Sequence, residues 1–270
     1  MKLRKKQYFC RSENNYRMNR IKWILLIVFP ALLFPACKTA KTIQRQMQGI
    51  ESELFYMLTS PLYSGNIENT IYLNPVCDST ALPYTIVKKK GFVLIPLLVY
   101  NYMRKNYDVT LGNASLIQAY PDFLVDALLA ECNRSSCFDL IVKDDLVLPD
   151  SAMILEVKVN KNTTTAKLIS NGGIFLNPFM EWQFEGFSNW KVTQPISGLE
   201  ISVRLMQYEN CLFEKTYTLA PDVFYQQGGI EEPFTAYKTC IEGMAWCLSQ
   251  TTKQVVENIS QDLHWLVLAQ

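Results

Sequence analysis

The feature that most limits the fold is an apolar stripe near the carboxyl end. Phe234, Tyr237, Ile241, Met244, Leu248, Val255, Ile259 and Leu263 recur at steps of three, four and seven. That spacing lays them along one face of a single long helix. Such a helix needs an apolar surface to lie on, and the sequence supplies one. Leu199, Ile201, Val203 and Leu205 alternate with Glu200, Ser202 and Arg204, while Met153, Leu155, Val157 and Val159 alternate with Glu156 and Lys158. A period of two marks strands with one buried face.

The remaining elements fall around these. Thr85 begins strand-like material, and Pro96 interrupts the run Phe92-Val93-Leu94-Ile95, which places that run at a sheet edge or a bulge. Tyr100 to Tyr102 and Tyr107 to Leu111 continue the extended pattern. Pro121 suits the first turn of a helix with Phe123, Leu124, Ala127, Leu128 and Ala130 on its apolar face. Phe138, Leu140 and Val142 form a short strand, Thr164 to Ser170 pair back as a hairpin, Glu209-Asn210 turns, and Phe213 to Leu219 returns. The reading is an α+β two-layer sandwich over residues 85–270: a mostly antiparallel sheet of four or five strands with two helices on one face. Residues 37–84 read as a tether. Ile43, Met47, Ile50 and Leu54 have helical spacing, and Pro61, Gly65, Pro75 and Pro83 mark residues 61–84 as irregular. No internal repeat, low-complexity tract or second domain is evident.

Composition narrows the function classes. Of 270 residues, 49% are hydrophobic and 19% charged, enough apolar material for a core. A lone histidine, His264, argues against most His-based catalysis and His-rich metal sites. The net charge of +1 averages two unlike parts. Residues 1–36 hold eight basic residues and one acid, leaving 18 basic and 24 acidic residues in the body, a net of −6. An acidic body gives no electrostatic reason to bind nucleic acid.

The leader sets the destination. Arg20 and Lys22 precede a 14-residue apolar run, Trp23 to Ala36. That is shorter than the about 20 residues a spanning helix needs, and it fits a secretory signal peptide over residues 1–36. Met18-Asn19-Arg20-Ile21-Lys22 makes a basic start of its own, so Met18 is a second candidate start. The run ends Leu33-Phe34-Pro35-Ala36-Cys37. A small residue directly before cysteine resembles the lipobox of bacterial lipoproteins, although Phe34 and Pro35 stand where that motif usually has Leu and a small residue. The resemblance implies cleavage before Cys37, acylation of its thiol, and anchoring of the mature chain in membrane lipid. Lys38-Thr39 carry neither the aspartate of inner-membrane retention nor the acidic cluster of surface export. By that resemblance the chain sits in the outer membrane with its body facing the periplasm.

Six cysteines remain beyond Cys37: Cys77, Cys132, Cys137, Cys211, Cys240 and Cys247. An oxidising compartment permits disulfides, and the turn-like Asn133 to Ser136 makes a Cys132–Cys137 loop bridge plausible. Cys240 and Cys247 lie two helical turns apart, about 10 Å, and read as buried apolar residues. With no CxxC pair and no Cys/His cluster, zinc is not expected, and no cofactor is implied.

Candidate chemistry is thin. Asp144-Asp145 and Glu231-Glu232 read as solvated loop charge, Gly172-Gly173 and Gly228-Gly229 as turns, and His264 as a helix-end or surface residue with no nucleophile motif near it. One stretch stands apart. Phe175, Phe179, Trp182, Phe184, Phe187 and Trp190 place six aromatics in 16 residues without a clean strand period. Exposed, Phe179, Trp182, Phe184, Phe187 and Trp190 would form a binding patch for a partner, a lipid tail or a membrane interface. Buried, they would fill the core between sheet and helix.

The succession Phe123-Leu124-Val125-Asp126-Ala127-Leu128-Leu129, a turn, then Phe138-Asp139-Leu140-Ile141-Val142 is similar to the helix–turn–strand pattern of periplasmic auxiliary lipoproteins of envelope transport. These are the lipopolysaccharide-assembly and ABC-transporter auxiliary types, and the likeness spans roughly residues 85–263. It implies a non-enzymatic accessory or scaffold working beside an envelope transport or assembly protein. The alternative is a surface or structural lipoprotein, an adhesin or a pilus-associated subunit. A hydrolase of envelope substrates would require a deep pocket with convergent acids.

Overall fold

The computed structural model describes residues 39–67, 69–96, 100–143, 148–149, 151–177, 183–219 and 226–269. In chain order these form α1 (Ala40–Met47), β1 (Asn69–Leu73), β2 (Cys77–Asp78), β3 (Ile86–Pro96), β4 (Tyr100–Thr110), α2 (Tyr120–Ser135), β5 (Phe138–Val142), β6 (Met153–Asn177), β7 (Gln183–Gln207), β8 (Asn210–Leu219), β9 (Gln226–Ile230) and α3 (Pro233–Leu268). The class is α+β, with nine strands in one sheet where four or five were expected, and three helices where two were.

Two strands of 25 residues organise the sheet. One edge of β6 is shared in succession by β1, β2 and β4, and its other edge pairs with β7 along its whole length. β7 in turn carries β8 and β9. Most pairings are antiparallel, but β1 runs parallel to both β5 and β6, and β2 runs parallel to β6. The expected hairpin at Thr164–Ser170 is instead the middle of β6. The pair Gly172-Gly173 lies inside the same strand, opposite Met103 and Tyr102 on one side and Ser188 and Phe187 on the other.

The alternation read in the sequence decides which face is buried. Leu155, Val157 and Val159 of β6 and Leu199, Ile201, Val203 and Leu205 of β7 are buried, while Glu156, Lys158, Ser202 and Arg204 face outward. Onto the buried face comes α3, which starts at Pro233 in its first turn. Tyr237, Ile241, Met244, Leu248, Val255, Ile259 and Leu263 are all buried. Each such side chain contributes about 1.5–3 kcal/mol by leaving water. Phe234, the first residue of the stripe, lies in the first turn of α3 and is exposed.

The tether expectation needs correction. Ile43 and Met47 of α1, together with Ile50 and Leu54, are buried in the same hydrophobic cluster as α2 and α3. Ile71 and Leu73 of β1 join them, so residues 61–84 are not wholly irregular. The body is one compact unit from Ala40 to Gln270, and its core residues run from Ile43 to Val267.

A polar clamp fixes β8 to α3. Lys215 Nζ and Tyr217 Oη each lie 2.6 Å from Asp262 Oδ2. Burial works against the Asp262 carboxylate, but hydrogen bonds from Lys215 and Tyr217 outweigh it and hold its pKa below the usual range. The unfolded chain takes up this proton first as pH falls from about 3.9. The clamp's contribution is therefore complete above that value and is lost as pH drops through the lower folded value. Urea titrations across an acid pH series should show Asp262→Asn less stable than the parent at neutral pH, with a shallower decline below about pH 4.

Candidate functional site

Two surfaces carry enough chemistry to be weighed: a polar cleft between helices and the free end of the sheet.

The cleft is built by an extended strap, residues 55–63, laid along α2 and α3. Phe55 N–H donates to Ser249 Oγ at 3.1 Å, Tyr56 Oη to Glu131 Oε2 at 2.7 Å, and Thr59 Oγ1 to Glu257 Oε1 at 3.0 Å. Arg134 Nε donates to the Ser60 carbonyl, and Tyr63 N–H to the Arg134 carbonyl. A cleft of about 490 Å³ opens beside it, lined among others by Glu131, Ser135, Ser260, His264 and Trp265. Hydroxyl, carboxylate and imidazole thus meet in one place, the set a hydrolase would use.

Their bonding assigns them to packing. His264 Nδ1 accepts the Cys137 N–H at 3.1 Å. The proton of the neutral ring then sits on Nε2, so no ring nitrogen keeps a lone pair to take a serine proton. Ser260 Oγ is held by Ser136 Oγ at 2.8 Å and Ser135 Oγ at 3.0 Å. Glu131 is buried, with its carboxylate taken by Tyr56, whose hydroxyl is pushed well up by burial and then by that hydrogen bond. The ring of His264 also stands edge-on to Tyr63 and Trp265. The residue expected at a bare helix end therefore ties the end of α2 and the strap to α3.

The thiols follow the same logic. Cys132 and Cys240 are pushed up by burial to about 12, and burial raises Cys137 and Cys247 as well. None of these four is a thiolate nucleophile near neutral pH. The Cys132–Cys137 bridge that the sequence permits is not formed; both are free, with Cys132 buried on α2 and Cys137 hydrogen-bonded to the end of α3. Among the described residues no group of three His, Cys, Asp or Glu could hold a metal ion.

The sheet end is a different surface. α3 spans about 54 Å at 1.5 Å per residue, whereas β6 and β7 each run roughly 80 Å. Trp190 of β7 packs edge-to-face on Tyr237, in the second turn of α3, at 5.4 Å between ring centroids. Beyond that row α3 has one turn left, and the strands continue. Trp190 itself is buried, so of the five aromatics proposed as a patch this one belongs to the core. Phe184 and Phe187 lie in β7, opposite Leu176 and Gly173, and continue the strand that their spacing had seemed to break. Phe179 and Trp182 lie outside the described residues, as does Cys37.

β3, paired with β4 alone among the described strands, is an edge strand, one of the two settings that Pro96 suggests. Lys88, Lys89 and Lys90 are exposed, and a bulge falls between Lys89 and Gly91. Phe92, Val93 and Ile95 follow with 45%, 47% and 47% of their surface exposed. Lys89 Nζ stands 4.6 Å from the Phe92 ring centroid, and Lys90 Nζ 3.5 Å from Asp108 Oδ2. Arg104, exposed, sits opposite Val93 on β4. The sequence reading passed over these lysines; three cations directly ahead of an apolar run were the available signal.

No protein-family model and no curated protein matches this chain. Among solved structures, a Xanthomonas campestris protein of the DUF330 family aligns with a TM-score of 0.41 at 10% identity, over 81% of this chain and 96% of its own. A putative neuraminyllactose-binding hemagglutinin homolog from Helicobacter pylori aligns with a TM-score of 0.26 at 9% identity, over 78% of this chain and 100% of its own. At these scores neither likeness defines a shared fold or function.

His264→Phe keeps a ring between Tyr63 and Trp265 but strands the Cys137 N–H. Urea unfolding should show a loss of about 1–3 kcal/mol with an unchanged folded spectrum. A purely surface histidine would give no measurable change.

Proposed function

We propose that this chain is a lipid-anchored, non-enzymatic envelope protein, tethered through Cys37 to the outer membrane and facing the periplasm, where it serves a transport or assembly machine as accessory or scaffold. The observation that carries this reading is the contrast between the two surfaces. In the cleft, His264, Glu131 and Ser260 are each engaged by the fold. At the sheet end, an apolar edge strand is left open. A protein arranged this way works by contact.

The anchor is supported by the leader. Cys37 stands at the end of the apolar run, and two or three acyl chains at ~0.8 kcal/mol per buried CH₂ hold a protein on a bilayer without a spanning segment. No described helix is long and apolar enough to cross a membrane. The first described residues, Thr39 and Ala40, follow Cys37 closely, so an acylated Cys37 would hold α1 near the bilayer surface.

Radiolabelled palmitate given to expressing cells should label the parent chain. Cys37→Ala should lose both the label and the membrane fractionation. An unlabelled parent, or a variant that fractionates unchanged, contradicts the anchor. Protease treatment of intact cells should leave the body uncut; cleavage would point to the surface-lipoprotein alternative.

A further inference from the structure

We infer that the open end of the sheet is itself a lipid-contact surface: Phe92, Val93 and Ile95 enter the headgroup boundary of an anionic bilayer while Lys88, Lys89 and Arg104 meet its phosphates. This deepens the contact-surface reading and rests on it, but it does not depend on acylation of Cys37.

Successive strand residues point to opposite faces. Phe92 and Val93 are neighbours, so they lie on opposite faces of β3, and Ile95 shares the face of Val93. All three are close to half exposed. β3 thus shows apolar side chains on both faces of the free edge, with Lys105 of β4 opposite Phe92 and Arg104 opposite Val93. A protein strand added to that edge would pair the backbone and leave both faces wet. A protein surface packed on one face would leave the other wet. A hydrocarbon boundary covers both faces and the edge at once.

The body carries a net of −6, yet β3 has Lys88, Lys89 and Lys90 on the rows just before Phe92, and β4 sets Lys105 opposite Phe92 and Arg104 opposite Val93. Asp108 pairs with Lys90, and Lys88, Lys89 and Arg104 are exposed with no ion pair among the described residues. The three lysines come directly before the apolar residues along β3, while Arg104 is level with Val93 on β4. Lys89 Nζ stands over the Phe92 ring, a cation–π contact that joins the charged and apolar parts of the strand. That order, charge and then hydrocarbon, matches the depth profile of an anionic membrane interface. Tyr102, on the same row as Ile95 and hydrogen-bonded to Asn171 Oδ1 at 2.9 Å, adds an amphipathic ring of the kind that favours that depth.

Tyr100 of β4 is in register with Phe175 of β6, so the β6–β7 end lies beside the β3–β4 end.

The test uses residues Ala40–Gln270, which hold the whole described core and lack the leader and Cys37. Co-sedimentation with mixed phosphatidylglycerol–phosphatidylethanolamine vesicles should exceed that with phosphatidylcholine vesicles, and added salt should weaken it. Phe92→Ser with Val93→Ser and Ile95→Ser should cut partitioning at least about tenfold. Lys88→Gln with Lys89→Gln, surface changes that leave the core alone, should cut it by roughly thirtyfold. No binding to anionic vesicles, equal binding to both vesicle types, or unchanged binding by the folded lysine variant overturns the proposal. A dimer in light scattering that Val93→Ser dissolves would assign the edge to a second copy and overturn it too. Vesicle binding without palmitate labelling would remove the anchor and keep this surface; labelling without vesicle binding would do the reverse.

Discussion

The structure depends on the seating of one helix on two strands. α3 supplies a stripe from Tyr237 to Leu263, and β6 and β7 present Leu155, Val157, Val159, Leu199, Ile201, Val203 and Leu205 to it. Most other elements attach to this unit. β8 is clamped to α3 by Asp262, α2 by the serine cluster around Ser260, and the strap by Ser249 and Glu257. Because the helix is shorter than the strands, it also determines where the core stops. The row of Trp190 and Tyr237 closes the core at one end, and the sheet that runs past it must find its own way of dealing with water.

Length mismatch therefore links fold to function. A sheet that outruns its helix would ordinarily protect its edge with charge, bulges or proline. β3 does this only in part. Lys88, Lys89, Lys90 and the bulge guard the half nearest the body, and Pro96 interrupts the far end. Between them Phe92, Val93 and Ile95 stay open. The groups that sequence inspection marks for chemistry are spent elsewhere. His264 accepts a backbone N–H, Glu131 accepts a phenol, and four thiols are held protonated by burial.

Legibility in the sequence followed the strength of local period. Leu199 to Leu205 and Met153 to Val159 alternate cleanly because one face meets α3 and the other meets water, and both strands and their buried faces were readable. β1 was not: five residues between polar segments, paired in parallel with β5 and β6, give no alternation long enough to see. α1 showed its spacing, but nothing local says that Ile43 and Met47 reach the core. Gly172-Gly173 reads as a turn in isolation. Only the pairing of β6 on both sides reveals it as strand interior, where neighbours supply the hydrogen bonds a turn would otherwise make. The aromatic stretch was visible as a cluster, yet the burial of Trp190 rests on Tyr237, 47 positions away. The Cys137–His264 contact, across 127 positions, had no sequence signal at all.

Amide hydrogen exchange on the isolated body tests most directly the claim of a closed core with an open sheet end. Amides in α3 from Ile241 to Ile259 and in β7 from Leu199 to Leu205 should exchange only through global unfolding, while those of Phe92 to Ile95 exchange orders of magnitude faster. Equal protection at both places, or rapid exchange in the middle of α3, would contradict the account.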